Sequence, residues 1–240
     1  MYLIKIFKST FLYKIYKNFK IYKHSVGGFI SSGDLVFDIG AHTGDNSLFF
    51  LHKKCRVVMV EPQPSCLKIL HKFFAKNKLV TIVSKGIADK KGSLKLKINT
   101  KNPVLSTFSN YWNLGRFKNE KWDQTLVVPT TTLDDLILKY GSPKYIKIDV
   151  EGYELFVLKG LTKKSGIISF EFSEEFFDQM KKCINYLSSL GYKEFSFSVG
   201  QETHFYMDWD TGISILKKIK SIIKEKSVCP NELWGDVYCR

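Results

Sequence analysis

From Asp34 onward, apolar and polar positions switch repeatedly between a strand pattern and a helix pattern. "LVFDI" (35–39) is a short apolar run that reads as a buried strand, followed by a glycine turn and the apolar start of a helix. "RVVMVEP" (56–62) is a second run that ends on an acid. A helix is predicted over 65–75, then the strand "VTIVSKGIA" (80–88). "SLKLKIN" (93–99) alternates with period two and predicts a half-exposed strand. Residues 100–125, rich in Asn, Lys, Ser and aromatics, read as an inserted loop. Its Phe108, Tyr111, Trp112 and Trp122 suit either a lid over a substrate or the anchoring of the loop itself. In "TTLDDLILKYG" (131–141), Thr131 or Thr132 is the N-cap, acids fill the first turn and Gly141 is the stop. The pattern continues with a strand at 144–150, a helix at 153–159, a strand at 166–172 and a helix at 174–190. A strand at 193–199, a lysine-rich helix at 213–226 and a strand at 235–239 complete it.

Strands alternating with helices imply βαβ units and a mainly parallel sheet, whose ligands bind outside the carboxyl ends of the strands. Asp38, Glu61, Asp149 and Glu171 all fall at the ends of predicted strands, which makes them the candidate functional acids. No repeat and no Pro/Gly/Ser-rich linker divides the chain. The expectation is one domain over 31–240, preceded by a basic aromatic segment over 1–30.

Composition narrows the classes. With 44% hydrophobic and 15% aromatic residues, the chain is globular rather than disordered. Lys and Arg outnumber Asp and Glu by 37 to 23, a net charge of +14. Such a balance suits an anionic partner (nucleic acid, membrane surface or acidic glycan), or simply reflects lysine as the default surface residue. Cys55, Cys66, Cys183, Cys229 and Cys239 form no CxxC pair, which argues against zinc, and their odd number argues against a disulfide framework. A reducing, cytoplasmic setting fits. Residues 1–25 interleave aromatics with lysines, but hold no apolar run long enough to span a bilayer and no signal-peptide h-region. They fit an amphipathic helix lying on an anionic membrane, at its inner face, or equally one packed on the domain.

The turn "DIGAHTG" (38–44) carries the first chemical signal. Gly40 and Gly44 permit close approach to the main chain. A dinucleotide fingerprint would place glycine where His42 stands, and Asp38 beside the turn would repel a pyrophosphate. A Walker A lysine and hydroxyl are also missing. Glu61 ends the next strand about 20 positions on, the spacing at which an acid accepts from ribose hydroxyls. A nucleoside with positive charge and no phosphate describes S-adenosylmethionine.

The succession "VFDIGAHTGDNSLFF", "VVMVEPQPSCLKIL", "VSKGIADKKGSLKL", "TTLDDLI" and "YIKIDVEGYELFVLKG" resembles the FkbM family of S-adenosylmethionine-dependent methyltransferases, over about residues 34–172. The resemblance implies the class I, Rossmann-like α/β fold: a seven-stranded, mostly parallel sheet with an antiparallel last strand and helices on both faces. It implies O-methylation of a saccharide or a glycan or glycolipid precursor. It places the cofactor motif on Asp38, Gly40 and Gly44, the ribose acid on Glu61, and the adenine side around 84–89. The cofactor-binding set so implied is Asp38, Gly40, Ala41, His42, Gly44, Asn46, Glu61, Pro62, Gly86, Ile87 and Asp149. The acidic hallmark falls on Asp149, Glu151, Gly152 and Glu154; His42 departs from the Asn of many relatives.

Methyl transfer from a sulfonium needs an aligned acceptor oxygen and a group to take its proton. Asp149, Glu151, Glu171 and His42 are the catalytic candidates, and His204 is a second histidine of suitable pKa. Asp149, Glu151 and Glu171 are also a hard-oxygen set for Mg²⁺. Glu151 and Glu154 equally suit a helix N-terminus, and Lys147 either pairs with a carboxylate or snorkels. Two other functions compete with a glycan methyltransferase. The charge suits a nucleic-acid (RNA) methyltransferase, against which stand the missing base-flipping motif and the acidic helix start. A non-enzymatic membrane-docking module would work through the basic N-terminus.

Overall fold

The computed structural model describes residues 25–111, 117–200, 205–225 and 233–240. The amphipathic segment expected at the N-terminus lies outside the described residues. The main sheet has seven strands: β1 (Leu35–Ile39), β2 (Arg56–Val60), β3 (Val80–Val83), β7 (Tyr145–Ile148), β8 (Ile167–Ser173), β9 (Phe195–Phe197) and β10 (Trp234–Cys239). Their order is β3-β2-β1-β7-β8-β10-β9, and β10 runs antiparallel between β8 and β9. The other pairings are parallel, as βαβ crossovers require. This is the class I methyltransferase sheet that the family resemblance implies.

The strands are apolar on both faces because helices cover both. On one face Phe37, Ile39, Ile146, Ile148 and Phe170 pack with Leu133, Leu158, Met180, Ile184 and Ile215. Those five come from α3 (Leu133–Tyr140), α4 (Glu154–Lys159), α5 (Phe177–Ser189) and α6 (Gly212–Glu225). On the other face Val36, Val57, Met59 and Tyr145 meet Phe49 and Phe50 of α1 (Ser47–His52) and Leu70 and Phe74 of α2 (Pro64–Phe74). Nearer the carboxyl ends this second face turns polar, with Asp38 on β1 opposite Lys147 on β7.

Three stretches differ from the sequence reading. The run at 80–88 breaks into β3 and a two-residue strand β4 (Gly86–Ile87), which leaves the main sheet. β4 joins a small second sheet, order β4-β6-β5, with β5 (Gly92–Ile98) and β6 (Gln124–Thr131). The inserted stretch therefore ends in a strand, and holds a 3₁₀ turn at Pro103–Leu105. Pro129 hides β6, since a proline demotes a run to edge or loop. It is tolerated because β4 pairs only with Thr130 and Thr131, leaving Pro129 flanked by β5 alone. The helix expected at 174–190 opens as a 3₁₀ turn (Glu174–Phe176) before α5 begins.

Among the described residues Cys55, Cys66, Cys183 and Cys239 are free and buried, and no helix is long and apolar enough to cross a membrane.

The start of α3 is fixed by a capping box. The Asp135 N–H donates to Thr132 Oγ1 (3.1 Å) and the Thr132 N–H donates to Asp135 Oδ2 (3.4 Å). Lys91 also reaches Asp135 (2.8 Å) and, together with hydroxyl and amide donors, holds its carboxyl down to about 2. Thr132→Ala leaves one of these donors without a partner and is expected to cost about 1 kcal/mol, read as a lower midpoint in urea unfolding with an unchanged slope.

Candidate functional site

The turn after β1 is bare because protein presses on it. Gly40 has φ +80°, and a Cβ there would lie 1.8 Å from the carbonyl oxygen of Asp149. Only glycine lets the ends of β1 and β7 come so close, and the Asp149 N–H donates to the Ile39 carbonyl (3.0 Å) to hold them. Gly44 has φ +84° and faces α2, where a Cβ would fall 2.6 Å from the Phe74 ring. Between the glycines the chain folds back over β2. The N–H groups of Gly40 and Ala41 both donate to the Val60 carbonyl at 3.0 Å. His42, itself at φ +49°, donates its N–H to Glu61 Oε2 (2.9 Å), and the Gln63 N–H donates to Glu61 Oε1 (2.8 Å). Glu61 is buried, and burial pushes its carboxyl up to about 7 against the pull of these two donors.

Beside this turn a cavity of about 360 Å³ opens at the carboxyl ends of the parallel strands. Its wall includes Gly40, Ala41, His42, Asn46, Glu61, Pro62, Gly86, Ile87 and Asp149 of the expected cofactor set, together with Glu151 and Glu171 of the catalytic candidates. Asp38 and Gly44 are absent from that wall. Asp38 is fully buried beneath the turn and accepts from the Ser47 hydroxyl (2.5 Å), while Gly44 serves the packing of α2. His204 and Trp112 lie outside the described residues. The structure adds Lys85, Gln63, Thr107, Phe108 and Trp234 to the wall. Gln63 was detectable as the neighbour but one of Glu61. Trp234 arrives only through the β10–β8 pairing with Ser173, which no local pattern signals.

The acidic hallmark forms a tight turn after β7. Glu151 is left-handed at φ +55° and Gly152 at φ +87°. Buried Glu154 Oε1 caps the turn, accepting from the N–H groups of Gly152 (3.1 Å) and Val150 (3.3 Å). This bend brings carboxylate oxygens of Asp149, Glu151 and Glu171 within 4.8 Å of one another.

The sequence model of one protein family, described as the Methyltransferase FkbM domain, matches residues 38–194, more than half of the chain. The chain belongs to the FkbM methyltransferase family. It is an S-adenosylmethionine-dependent methyltransferase. No curated protein matches it. Solved structures to which this FkbM methyltransferase is similar include three of low identity. Precorrin-6y C5,15-methyltransferase from Geobacter metallireducens is 12% identical, covering 95% of this chain and 86% of that one, with a TM-score of 0.45. The plantazolicin methyltransferase BpumL in complex with S-adenosylhomocysteine is 7% identical, with 94% and 83% covered and a TM-score of 0.46. An rRNA methylase from Streptococcus thermophilus is 10% identical, with 94% and 93% covered and a TM-score of 0.43.

Under the cavity of this FkbM methyltransferase sits one buried cation. Lys147 is 4% exposed, and its ammonium donates to Asp149 Oδ2 at 2.8 Å. Burial works against its charge, but Asp149 and Asp38 outweigh burial and hold its pKa above the ordinary lysine value. The acids around it go the other way. Burial raises Asp38 despite Lys147 and Ser47, and lifts Asp236 to about 6 despite Lys147. Glu154 rises to about 7 through burial, and Glu171 well above the usual range through burial and then through Asp149 and Glu151. An acid whose folded pKa is raised binds more protons in the folded than in the unfolded state, so its contribution falls as pH rises through that window. For Glu61 and Glu154 the window runs from the ordinary value of 4.5 to about 7. The ligand-free protein is therefore expected to lose stability between those pH values. Glu154→Gln, which keeps an acceptor for Gly152 and Val150 but carries no charge, should flatten that loss in pH-resolved thermal melts.

Proposed function

We propose that this FkbM methyltransferase transfers the methyl group of S-adenosylmethionine to a hydroxyl of a saccharide or of a glycan or glycolipid precursor. The observation that carries the reading is the Asp149, Glu151 and Glu171 cluster on the wall of the cavity that also holds Glu61. Among the described residues Asp45, Glu61, Asp149, Glu151 and Glu171 line that cavity against one lysine, Lys85, so that even with Glu61 and Glu171 raised by burial its field favours a cation and disfavours phosphate. The residues fit the cofactor. Each Glu61 oxygen already accepts one backbone N–H and keeps a further lone pair for a diol. Asp149, paired on one oxygen by Lys147, keeps the other for an ammonium. When bound, the cofactor supplies an electrophilic methyl carbon on sulfur. The chain's task is then to hold the acceptor oxygen in line and to take its proton, a role that the acidic cluster and His42 on the cavity wall suit. Phe108 and Trp234 add apolar surface suited to the face of a sugar ring.

Titration calorimetry with S-adenosylmethionine tests the cofactor half. Saturable binding is expected, and Glu61→Ala should weaken it roughly tenfold to a hundredfold while the fold persists. No heat with the native protein would overturn the reading. The acceptor half is tested by mass spectrometry of glycans from cells lacking the protein, where a methyl increment present in the parent should be missing. An unchanged glycan profile together with tight, salt-dependent RNA binding would instead favour a nucleic-acid substrate.

The same three carboxylates suit a hard divalent cation such as Mg²⁺, which would lower the pKa of a bound hydroxyl. If they hold one, MgCl₂ raises the melting temperature of the native protein and not of Glu171→Gln. An equal response in both would exclude that role.

A further inference from the structure

Residues 103–109 form one wall of the cavity and are tied to both of its sides. Toward the Glu61 side, the Ser106 hydroxyl donates to Gln63 Oε1 (3.2 Å) and Gln63 Nε2 donates to the Pro103 carbonyl (3.3 Å). The backbone N–H of the same Gln63 holds Glu61. Toward the acidic cluster, Thr107 Oγ1 donates to the carbonyl of Glu151 (2.6 Å) and accepts from the Ser109 N–H (2.9 Å). Thr107 is 1% exposed, and its main chain is pinned to Lys97 by two hydrogen bonds of 2.9 Å. Phe108, next along, packs its ring against Gly86 and Tyr153.

The residue that Thr107 grips is a strained one. Glu151 has a side chain and yet stands at φ +55°, a conformation that persists only where its surroundings impose it. Glu154 imposes it from the α4 side by binding the N–H groups of Val150 and Gly152. From the other side the Glu151 carbonyl accepts from the Thr107 hydroxyl.

We propose that Thr107 is a positioning residue: its hydroxyl holds Glu151 in the left-handed turn that sets that carboxylate beside Asp149 and Glu171. Residues 103–109 thereby link the Glu61 side of the cavity to its acidic side. The coupling of the two sides rests on the reading of the cavity as the cofactor site; the hold on Glu151 does not.

The test uses the full chain with Thr107→Val, which keeps shape and removes the hydroxyl, Thr107→Ser, which keeps the hydroxyl, and Ser106→Ala, which cuts only the opposite tie. Amide hydrogen exchange at 151–153 is read without ligand, and the affinity for S-adenosylhomocysteine is read by calorimetry. Thr107→Val is expected to speed exchange at 151–153 and to weaken binding, each about tenfold, with Thr107→Ser within about twofold of native on both. Ser106→Ala should leave exchange at 151–153 unchanged, which a general loosening of the segment would not. Native-rate exchange in Thr107→Val, or equal damage in Thr107→Ser, overturns the proposal. On the native protein, S-adenosylhomocysteine should slow exchange at 61–63 and 151–153 together, and protection of one stretch alone overturns the coupling. If the native protein binds no S-adenosylhomocysteine, the cofactor reading fails, while the ligand-free exchange still decides the role of Thr107.

Discussion

The buried ammonium of Lys147 organises the charges at the carboxyl edge of the sheet. Lys147 stands on the central strand β7, with Asp38 across from it on β1, Asp149 bonded to it, and Asp236 on β10 within reach of its charge. Taking a lysine out of water costs several kcal/mol unless partners repay it, and here more than one carboxylate does so. The pairing is unequal, with one cation against three acids. Of the three only Asp149 reaches the cavity wall; Asp38 and Asp236 stay off it, and burial raises both above the ordinary carboxylate value.

The second constraint is conformational. Three residues other than glycine are left-handed among those described, and two of them, His42 and Glu151, line the cavity. Each is held through its own backbone: the His42 N–H donates to Glu61, and the Glu151 carbonyl accepts from the Thr107 hydroxyl. The strain therefore lies at the two bends that present the acids, and the contacts that maintain it come from different parts of the chain. Electrostatics and backbone geometry meet at one place because the ends of β1 and β7 approach each other through Gly40.

Much of this was legible from residue order. β1 and the capped helix α3 follow from apolar runs and Thr132–Asp135, and the acids at strand ends follow from the parallel sheet rule. What escaped had a physical reason in each case. β6 contains Pro129, and the break between β3 and β4 is marked only by Ser84 and Lys85, a two-residue polar step that a strand also tolerates. The close approach of Asp149 to Gly40 and of Phe74 to Gly44 is a second reason for those glycines that residue order does not reveal. Asp38 reads as a ligand contact but spends its carboxylate below the turn, on Ser47 and in the field of Lys147. The tie from Thr107 to Glu151 spans more than forty residues and leaves no mark in local sequence.

The place of β10 bears on how the chain assembles. It is last in sequence among the described strands, yet it lies inside the sheet, bonded to β8 on one side and β9 on the other. Until residues 234–239 leave the ribosome, β8 presents an open edge and β9 has no sheet to join. Closure of the main sheet thus waits for a segment made after its six other strands, and the interval before it is when a nascent chain most needs protection from pairing with its neighbours.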